Sequence, residues 1–394
     1  MEDDLTGQPA GVMAGDARGL LARGIELAKK REAGEAERVL REAIRLDPSL
    51  PLAHYTLGVV LRRKGEFSGA EAELREAIRL NPTLHWAHLN LGLLLQKRGR
   101  FEEAGGEFRE AVRLNPYLVE GHHDLGVVLR KLERYEEAAQ AFRQGLQVNP
   151  DLPWTRFELG IVLEKQEKYE EAEQAFLEAL RFKPDLARAY SHLGEIHERG
   201  GKYPQAEAEF CEALRLDPGL SGASLSLGRV LFLQGKASEA EREFRRSLQE
   251  ESGDPAVLFR LGKALAWQGK HREAEQAFRQ ALVRRGPDSE LLQSLGETLR
   301  RQGKHREAED LCFDLLLRCP EEASAHYDLA CCYAGQGKDV EALARLQAAL
   351  DSGFDDWPRM EKERDLDPLR TLPKFVYLEK KVRKAWEERN RGGV

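Results

Sequence analysis

The sequence is poor in the residues and runs that mark membrane or secreted proteins. Among its 394 residues are 5 cysteines and 3 methionines, and aromatic residues make up 7%. No apolar stretch approaches the roughly 20 residues that a membrane-spanning helix needs. The N-terminus is acidic and lacks the basic and then apolar pattern of a secretory signal. We therefore expect a cytoplasmic protein with no membrane insertion.

The sequence also lacks an excess of positive charge. Its formal net charge is −7, so there is no global positive field to attract nucleic acid, and we expect no nucleic-acid partner. The cysteines form no C-x-x-C pair and no evenly spaced framework, which argues against a disulfide scaffold or a zinc ribbon. We expect reduced, mostly packed thiols.

Motifs of catalysis and cofactor binding are missing as well. The chain contains no nucleophile elbow, phosphate-binding loop, zinc-protease helix or dinucleotide-binding glycine motif. Recurrent carboxylate pairs such as Glu102-Glu103 stand at the predicted starts of helices, where negative charge favours the helix dipole. We therefore expect no enzymatic activity and no cofactor.

Histidine occupies the same site in three successive parts of the chain, at His54, His88 and His122. Packed neighbouring helices lie about 8–10 Å apart, whereas zinc ligands converge to about 2.0–2.1 Å from one ion. This spacing is wrong for a shared ion. We expect these histidines to be half-buried structural residues, and we expect no metal site.

What the sequence has in abundance is a 34-residue repeat. A Leu-Gly pair recurs in strict register, and a proline, an alanine and a large apolar residue recur with it. The pairs lie at 57–58, 91–92, 125–126, 159–160, 193–194, 227–228, 261–262 and 295–296, with Leu329-Ala330 as the ninth. These nine copies and a degenerate first copy cover nearly the whole chain.

Each copy is predicted to form two helices. In the second copy, Leu57 and Leu61 recur at helical spacing, Gly65 follows, and a new periodic run begins at Ala70. A glycine inside a helix costs about 1 kcal/mol relative to alanine. We infer that the glycine of each Leu-Gly pair permits close approach to the alanine and aromatic positions of the second helix. Two such helices cannot bury their apolar faces alone, so the hairpins must stack.

The repeat resembles the signature of the tetratricopeptide repeat (TPR) family. In one copy the matching residues are, in order, Leu91-Gly92, Gly99, Phe101, Ala104, Phe108, Ala111 and Pro116. The resemblance implies an all-α fold, an α-solenoid of about ten stacked helix-turn-helix hairpins in a right-handed superhelix whose first helices line a concave groove. We predict a disordered N-terminal tail at 1–16, the TPR array at 17–350 with a degenerate first copy, and a C-terminal capping segment at 351–394.

The family geometry implies which side chains point into this groove. They are the residues five before, two before and two after the Leu of each Leu-Gly pair, which share one helical face. In the first half of the chain this partner-binding groove comprises Leu52, Tyr55, Val59, Trp86, Leu89, Leu93, His123, Val127, Trp154, Phe157 and Ile161. The corresponding positions become polar near residue 188. The aromatic rings either line the groove or pack between adjacent first helices, and the sequence leaves both arrangements open.

These features predict a non-enzymatic scaffold or adaptor that binds a protein or peptide partner in the groove formed by residues 52–161. Exposed apolar and aromatic surface is typical of interaction sites. Two groove types known in the family, a clamp for a terminal carboxylate and a ladder of asparagines, do not fit, because only Asn90 matches the ladder. The alternatives are a scaffold that self-assembles into homo-oligomers and a regulatory subunit of an enzyme complex.

Overall fold

The computed structural model describes residues 17–250 and 253–391. These residues form 22 α-helices and one short 3₁₀ helix, and they contain no strand. In chain order the helices are α1 (Ala17–Lys29), α2 (Ala33–Leu46), α3 (Pro51–Lys64), α4 (Phe67–Leu80), α5 (His85–Lys97), α6 (Phe101–Leu114), α7 (Val119–Lys131), α8 (Tyr135–Val148), α9 (Pro153–Lys165), α10 (Tyr169–Phe182), α11 (Ala187–Arg199), α12 (Tyr203–Leu216), α13 (Ala223–Leu233), α14 (Ala237–Glu250), α15 (Pro255–Trp267), α16 (His271–Arg285), α17 (Ser289–Arg301), α18 (His305–Arg318), α19 (Ala323–Gly335), α20 (Asp339–Asp351), α21 (Trp357–Lys362), the 3₁₀ helix η1 (Arg364–Leu369) and α22 (Pro373–Arg391).

Successive helices pack in pairs, for example α3 with α4 and α19 with α20. The prediction of an all-α fold built from consecutive helical hairpins is confirmed. In the hairpins from α3–α4 to α15–α16 the first helix carries the Leu-Gly pair, and the second helix carries the alanine and the large apolar residue. Within the described ranges, no helix combines the length and apolarity that crossing a bilayer requires.

The chain divides into two compact units, Met1–Leu193 and Gly194–Val394, with the division falling inside α11. We refer to them as unit 1 and unit 2. In unit 1 the first helices α3, α5, α7 and α9 contact one another in succession, and in unit 2 α13, α15, α17 and α19 do the same. The predicted tail at 1–16 lies outside the described residues, and the proposed bounds of the array and the cap stay a prediction.

The glycine of the Leu-Gly pair permits the contact that the sequence predicts. A β-carbon built on Gly92 would lie 2.6 Å from the ring of Phe108, and one built on Gly126 would lie 2.5 Å from the ring of Phe142. Both rings are fully buried. The exception is Gly296, which has open space around the corresponding position because the second helix carries Cys312 in place of a phenylalanine.

The turns inside the hairpins use left-handed backbone. Gly65 has a φ of 85°, its N–H donates to the carbonyl of Arg62, and the N–H of Glu66 donates to the carbonyl of Leu61. This is the usual way to end a helix at glycine. Glu133 and Glu167 replace that glycine in two copies, and both still adopt a positive φ, 58° and 60°. The left-handed turn is therefore retained even where a glutamate, which disfavours a positive φ, replaces the glycine.

At the end of unit 2, η1 packs against α19 and α22 packs against α20. Phe375, Leu378 and Val382 on α22 are buried in the same cluster as residues of the last hairpin. Arg300, buried on α17, joins this segment to the repeats through ion pairs. The segment thus covers apolar surface that a further hairpin would otherwise cover.

Candidate functional site

All eleven predicted groove residues lie on the first helices of unit 1, α3, α5, α7 and α9. Seven of them keep solvent exposure, and we call these seven the apolar face: Leu52, Val59, Trp86, Leu93, His123, Val127 and Trp154. In each copy these residues lie on the same side of the first helix. The structure brings these residues onto neighbouring helices, as the repeat predicts.

The most exposed members are those five residues before the Leu of each pair. Leu52 is 47% exposed and Trp154 is 49% exposed, and Trp86 between them in sequence is half-buried. Each lies in the first turn of its helix, where no preceding turn covers it. The indole of Trp154 packs edge-on against Phe157 at 6.2 Å and lies 5.9 Å from the Lys183 ammonium. A large ring held in this way presents apolar area with little conformational freedom to lose on binding.

Four predicted groove residues are not part of this surface. Tyr55, Leu89, Phe157 and Ile161 are buried. They are therefore corrected from groove floor to repeat packing, because the surrounding helices cover their side chains. The ring of Phe157, for example, has no exposed area and lies 5.7 Å from the rings of both Phe176 and His192.

His123 on α7 contacts a hydroxyl group and an aromatic ring. Its Nδ1 is 3.0 Å from the Thr155 hydroxyl oxygen, and its ring lies 5.9 Å from that of Phe142. Burial lowers the pKa of His123, against a smaller opposing influence of Glu158. The imidazole is thus neutral at neutral pH, and the face around it favours uncharged ligand groups.

The histidines of the three-copy series have the structural role that the sequence predicts. His54, His88 and His122 are buried, and each Nε2 lies within 3.2 Å of the carbonyl oxygen of the proline six residues earlier. In the first two, Nδ1 also lies 2.7 Å from a carboxylate, that of Glu73 or Glu107. Each imidazole therefore fixes the turn that leads into its own first helix.

A series of polar pairs between adjacent copies escaped the sequence analysis. In unit 1, Arg62 donates to Asn90 at 3.2 Å and the Arg130 guanidinium lies 2.9 Å from the carboxylate of Glu158. In unit 2, Arg300 pairs with Asp328 at 3.2 Å. The partners are always 28 residues apart, one on each of two neighbouring first helices. The signal was present in the sequence as a fixed offset between copies.

Asp124 occupies the acceptor position of this series in its copy but has no matching cation. The residue 28 positions before it is Gln96. Burial, together with the nearby Glu120, raises the pKa of Asp124 to about 7. This half-buried carboxyl group therefore titrates near neutrality, and it carries less than a full negative charge there.

A second series of ion pairs links second helices to the following copy in unit 2. Glu275 accepts hydrogen bonds from Gln302 at 2.9 Å and from Lys304 at 2.7 Å. Glu241 has the equivalent partners Gln268 and Lys270. Burial opposes ionisation of Glu275, but these donors outweigh it and lower the pKa to about 2. The carboxylate is therefore fixed in its charged form as a link between copies.

The fold and its recurring contacts define the class of protein. Models of the tetratricopeptide repeat match residues 21–85, 123–187, 157–221, 192–256 and 294–356, and two further models with the same description match 231–297 and 85–110. This chain belongs to the tetratricopeptide repeat family, whose fold it shares.

Three similar proteins each cover a part of the chain. The C-terminal part of a TPR repeat-containing protein from Cytophaga hutchinsonii superposes with a TM-score of 0.51 at 15% identity, over 61% of this chain and 99% of that one. YrrB, described as a TPR protein with an unusual peptide-binding site, gives a TM-score of 0.44 at 21% identity over 47% of this chain and 95% of its own. A chloroplastic protein of Arabidopsis thaliana is 42% identical over 57 residues, which are 14% of this chain and 17% of that protein.

Proposed function

We propose that this chain is an interaction scaffold that binds an apolar segment of a partner protein along the apolar face of unit 1. One observation carries the proposal: large apolar side chains occupy the same repeat position on α3, α5 and α9, where Leu52 and Trp154 are exposed and Trp86 is half-buried. Exposed rings on a rigid helical support are the groups that anchor protein interfaces. The cytoplasmic location expected from the sequence stays a prediction.

The chemistry of the face favours an apolar partner over a charged one. Its half-buried members Val59, Leu93 and Val127 are aliphatic, and the imidazole of His123 is neutral at neutral pH. The nearby cation Arg130 is already paired with Glu158. Burial of apolar area contributes about 25 cal/mol per Å² removed from water, so three or four such side chains give a ligand useful affinity.

The test is affinity purification of the tagged full chain from its own cells, followed by quantitative mass spectrometry. The variant Leu52→Ala/Trp154→Ala removes exposed apolar area, and Tyr117→Ala is a matched control, since Tyr117 is 79% exposed but lies in the turn before α7. We expect proteins enriched by the wild type and by the control to be lost with the double variant. Equal recovery by all three chains would contradict the proposal.

Light scattering of the same three proteins separates this function from self-assembly. If the face binds a different protein, the wild type, the control and the double variant all have the same molecular mass in solution at every concentration. If the wild type forms oligomers and Leu52→Ala/Trp154→Ala stays monomeric, the face joins copies of this chain, and the proposed adaptor role is wrong.

A further inference from the structure

A pocket of about 270 Å³ opens in unit 2 along the first helices α13, α15 and α17. We call it the Arg260 pocket, and its principal lining residues are Arg229, Phe232, Leu233, Phe259, Arg260 and Lys263. One wall is apolar: Leu233 is 51% exposed, and the Phe232 ring is half-buried and meets Trp267 edge-on at 6.0 Å. The pocket therefore combines exposed apolar area with several cations.

Four cations line the pocket, Arg229, Arg260, Lys263 and Arg285, and three of them have carboxylate partners. Arg229 is ion-paired with Glu198. Lys263 lies 3.0 Å from the carboxylate of Glu290, and Arg285 lies 3.2 Å from that of Asp288. Arg260, by contrast, has neither a hydrogen bond nor an ion pair with any described residue.

The offset of 28 residues explains why Arg260 lacks a partner. In the other polar pairs, such as Arg62 with Asn90 and Arg300 with Asp328, both positions are polar. The residue 28 positions before Arg260 is Phe232. In those pairs the cation is the earlier residue. Here Arg260 stands at the position of the acceptor, and Phe232, an aromatic wall of the pocket, stands at the position of the cation.

An uncompensated, half-buried guanidinium is an unfavourable arrangement. Burial and the neighbouring Arg229 lower the pKa of Arg260, and the more distant carboxylates of Glu198, Glu290 and Asp254 offset this only in part. Free energy lost by desolvating a charge is recovered when an opposite charge forms hydrogen bonds to it. The pocket is thus suited to an anionic group supplied from outside the chain.

We propose that the Arg260 pocket binds a peptide segment of a partner protein in which a carboxylate lies next to a large apolar side chain. The carboxylate pairs with the Arg260 guanidinium, whose planar fork of donors matches its two oxygens. The apolar side chain packs against Phe232 and Leu233. This site goes beyond the proposed function, because it uses other residues and a ligand of another charge than the apolar face of unit 1.

The charge balance selects a carboxylate over a phosphate. One cation is unpaired, and a carboxylate carries one negative charge, whereas a phosphate monoester carries about −1.5 to −2 at neutral pH. A dianion here would leave part of its charge unmatched beside Glu290 and Glu198. A carboxylate can come from an Asp or Glu side chain or from a chain terminus, and the two sources differ in the peptide that presents them.

The experiment is fluorescence polarisation of the full chain with four pools of short, fluorescein-labelled peptides, each with randomised Gly, Ser and Ala flanks. Three amidated pools contain Leu-Glu, Leu-Gln or Leu-phosphoserine at the centre, and the fourth ends in Leu with a free carboxylate. The protein variants are Arg260→Gln, the matched control Arg272→Gln on the exposed part of α16, and Phe232→Glu, which supplies the missing partner 28 residues before Arg260.

We expect the wild type and the control to bind the Leu-Glu or the free-carboxylate pool. The variant Arg260→Gln should bind the same pool about tenfold more weakly, because it loses a charge-assisted hydrogen bond. Whichever of the two pools binds more tightly identifies the source of the carboxylate. Phe232→Glu should abolish binding, since its own carboxylate occupies Arg260. Thermal unfolding checks the fold, and Arg260→Gln should melt no lower than the wild type.

Three results would overturn the proposal. Equal binding of the Leu-Glu and Leu-Gln pools means that Arg260 does not recognise charge. Tighter binding of the phosphoserine pool assigns the pocket to phosphate. Absence of binding by every pool at concentrations far above those of ordinary peptide recognition means that the pocket is not a peptide site.

Discussion

Gly126 lies so close to the ring of Phe142 that a β-carbon on it would be 2.5 Å from Cε1. Gly296 occupies the equivalent position in a later copy and meets nothing within 4 Å. The two glycines are chemically identical and lie inside the first helices of their copies. They differ only in whether a second helix supplies a phenylalanine.

We expect Gly126→Ala and Gly296→Ala to have opposite effects on stability. The first forces an overpacked core and should lower the free energy of unfolding by about 1–3 kcal/mol. The second removes backbone freedom from a helix without a clash and should raise it by about 0.5–1 kcal/mol. Urea-induced unfolding followed by circular dichroism measures both. Loss of stability in Gly296→Ala would show that Cys312 packs more tightly than the structure has it.

Phe157 and Trp154 should separate core packing from binding surface. Phe157→Ala leaves a cavity between hairpins and should cost about 3–5 kcal/mol. Trp154→Ala removes a ring that is 49% exposed and should cost less than about 1 kcal/mol. Hydrogen exchange of α9 and α10 should accelerate only in the first variant. Similar exchange in both would place Trp154 in the core.

The stability that His88 provides should depend on pH. Burial lowers the pKa of His88, but hydrogen bonds with Glu107 and the Pro82 carbonyl outweigh burial, so the folded pKa is raised. The contribution is therefore complete below the unfolded pKa of about 6.5 and is lost as pH rises through the folded value. The difference in unfolding free energy between the wild type and His88→Gln should shrink as pH increases above about 6.5. In a Glu107→Gln background the same difference should vary much less with pH.

Glu275 should show the opposite pH dependence. Its pKa is lowered to about 2, so its contribution is present above the unfolded value of about 4.5 and is lost as pH falls through 2. Glu275→Gln should reduce the free energy of unfolding by about 1 kcal/mol at neutral pH and by less at pH values below about 4.5. Glu307→Gln is the control, because Glu307 forms one exposed ion pair, with Arg279. A larger loss in the control would contradict the role given to Glu275.

Arg300 should hold the C-terminal segment on the last repeats. Its guanidinium is buried and lies 2.6 Å from Asp365, 3.1 Å from Glu363 and 3.2 Å from Asp328. Arg300→Met leaves three carboxylates without this cation and should cost about 3–5 kcal/mol. Hydrogen exchange should accelerate across 357–391.

The neighbouring variant Arg301→Met tests whether burial causes this effect. Arg301 lies 3.5 Å from Glu363, but its side chain is 35% exposed. We expect a loss of no more than about 1 kcal/mol, with unchanged exchange in the C-terminal segment. If the two variants behave alike, the buried network does not fix that segment.

The sequence was sufficient for the hairpins and for the close contacts within them. A constant 34-residue register makes each glycine face the same second-helix residue, so Gly92 and Phe108 could be paired from the sequence. The prediction fails where the second helix changes, as at Cys312. The cysteine itself can be read from the sequence, but the open space around Gly296 is known only from the structure.

The sequence was less informative about the surface. Trp154 and Phe157 are both aromatic and three residues apart, yet one is half exposed and the other fully buried. Their difference depends on the neighbouring hairpin, which places Phe176 and His192 against Phe157. A helical-face pattern within one copy contains no information about that neighbour. Contacts between copies, such as Arg130 with Glu158, require the offset between copies to be examined as well.

The constant offsets of the ion pairs have a consequence for how such a gene changes length. Glu241 bonds residues 27 and 29 positions later, Gln268 and Lys270, and Glu275 bonds Gln302 and Lys304 at the same offsets. Deleting or duplicating 34 codons anywhere between these sites gives each glutamate an equivalent glutamine and lysine. Recombination in register can thus lengthen or shorten this stretch without breaking its ionic links, whereas a change that is not a multiple of 34 codons shifts both donors out of register.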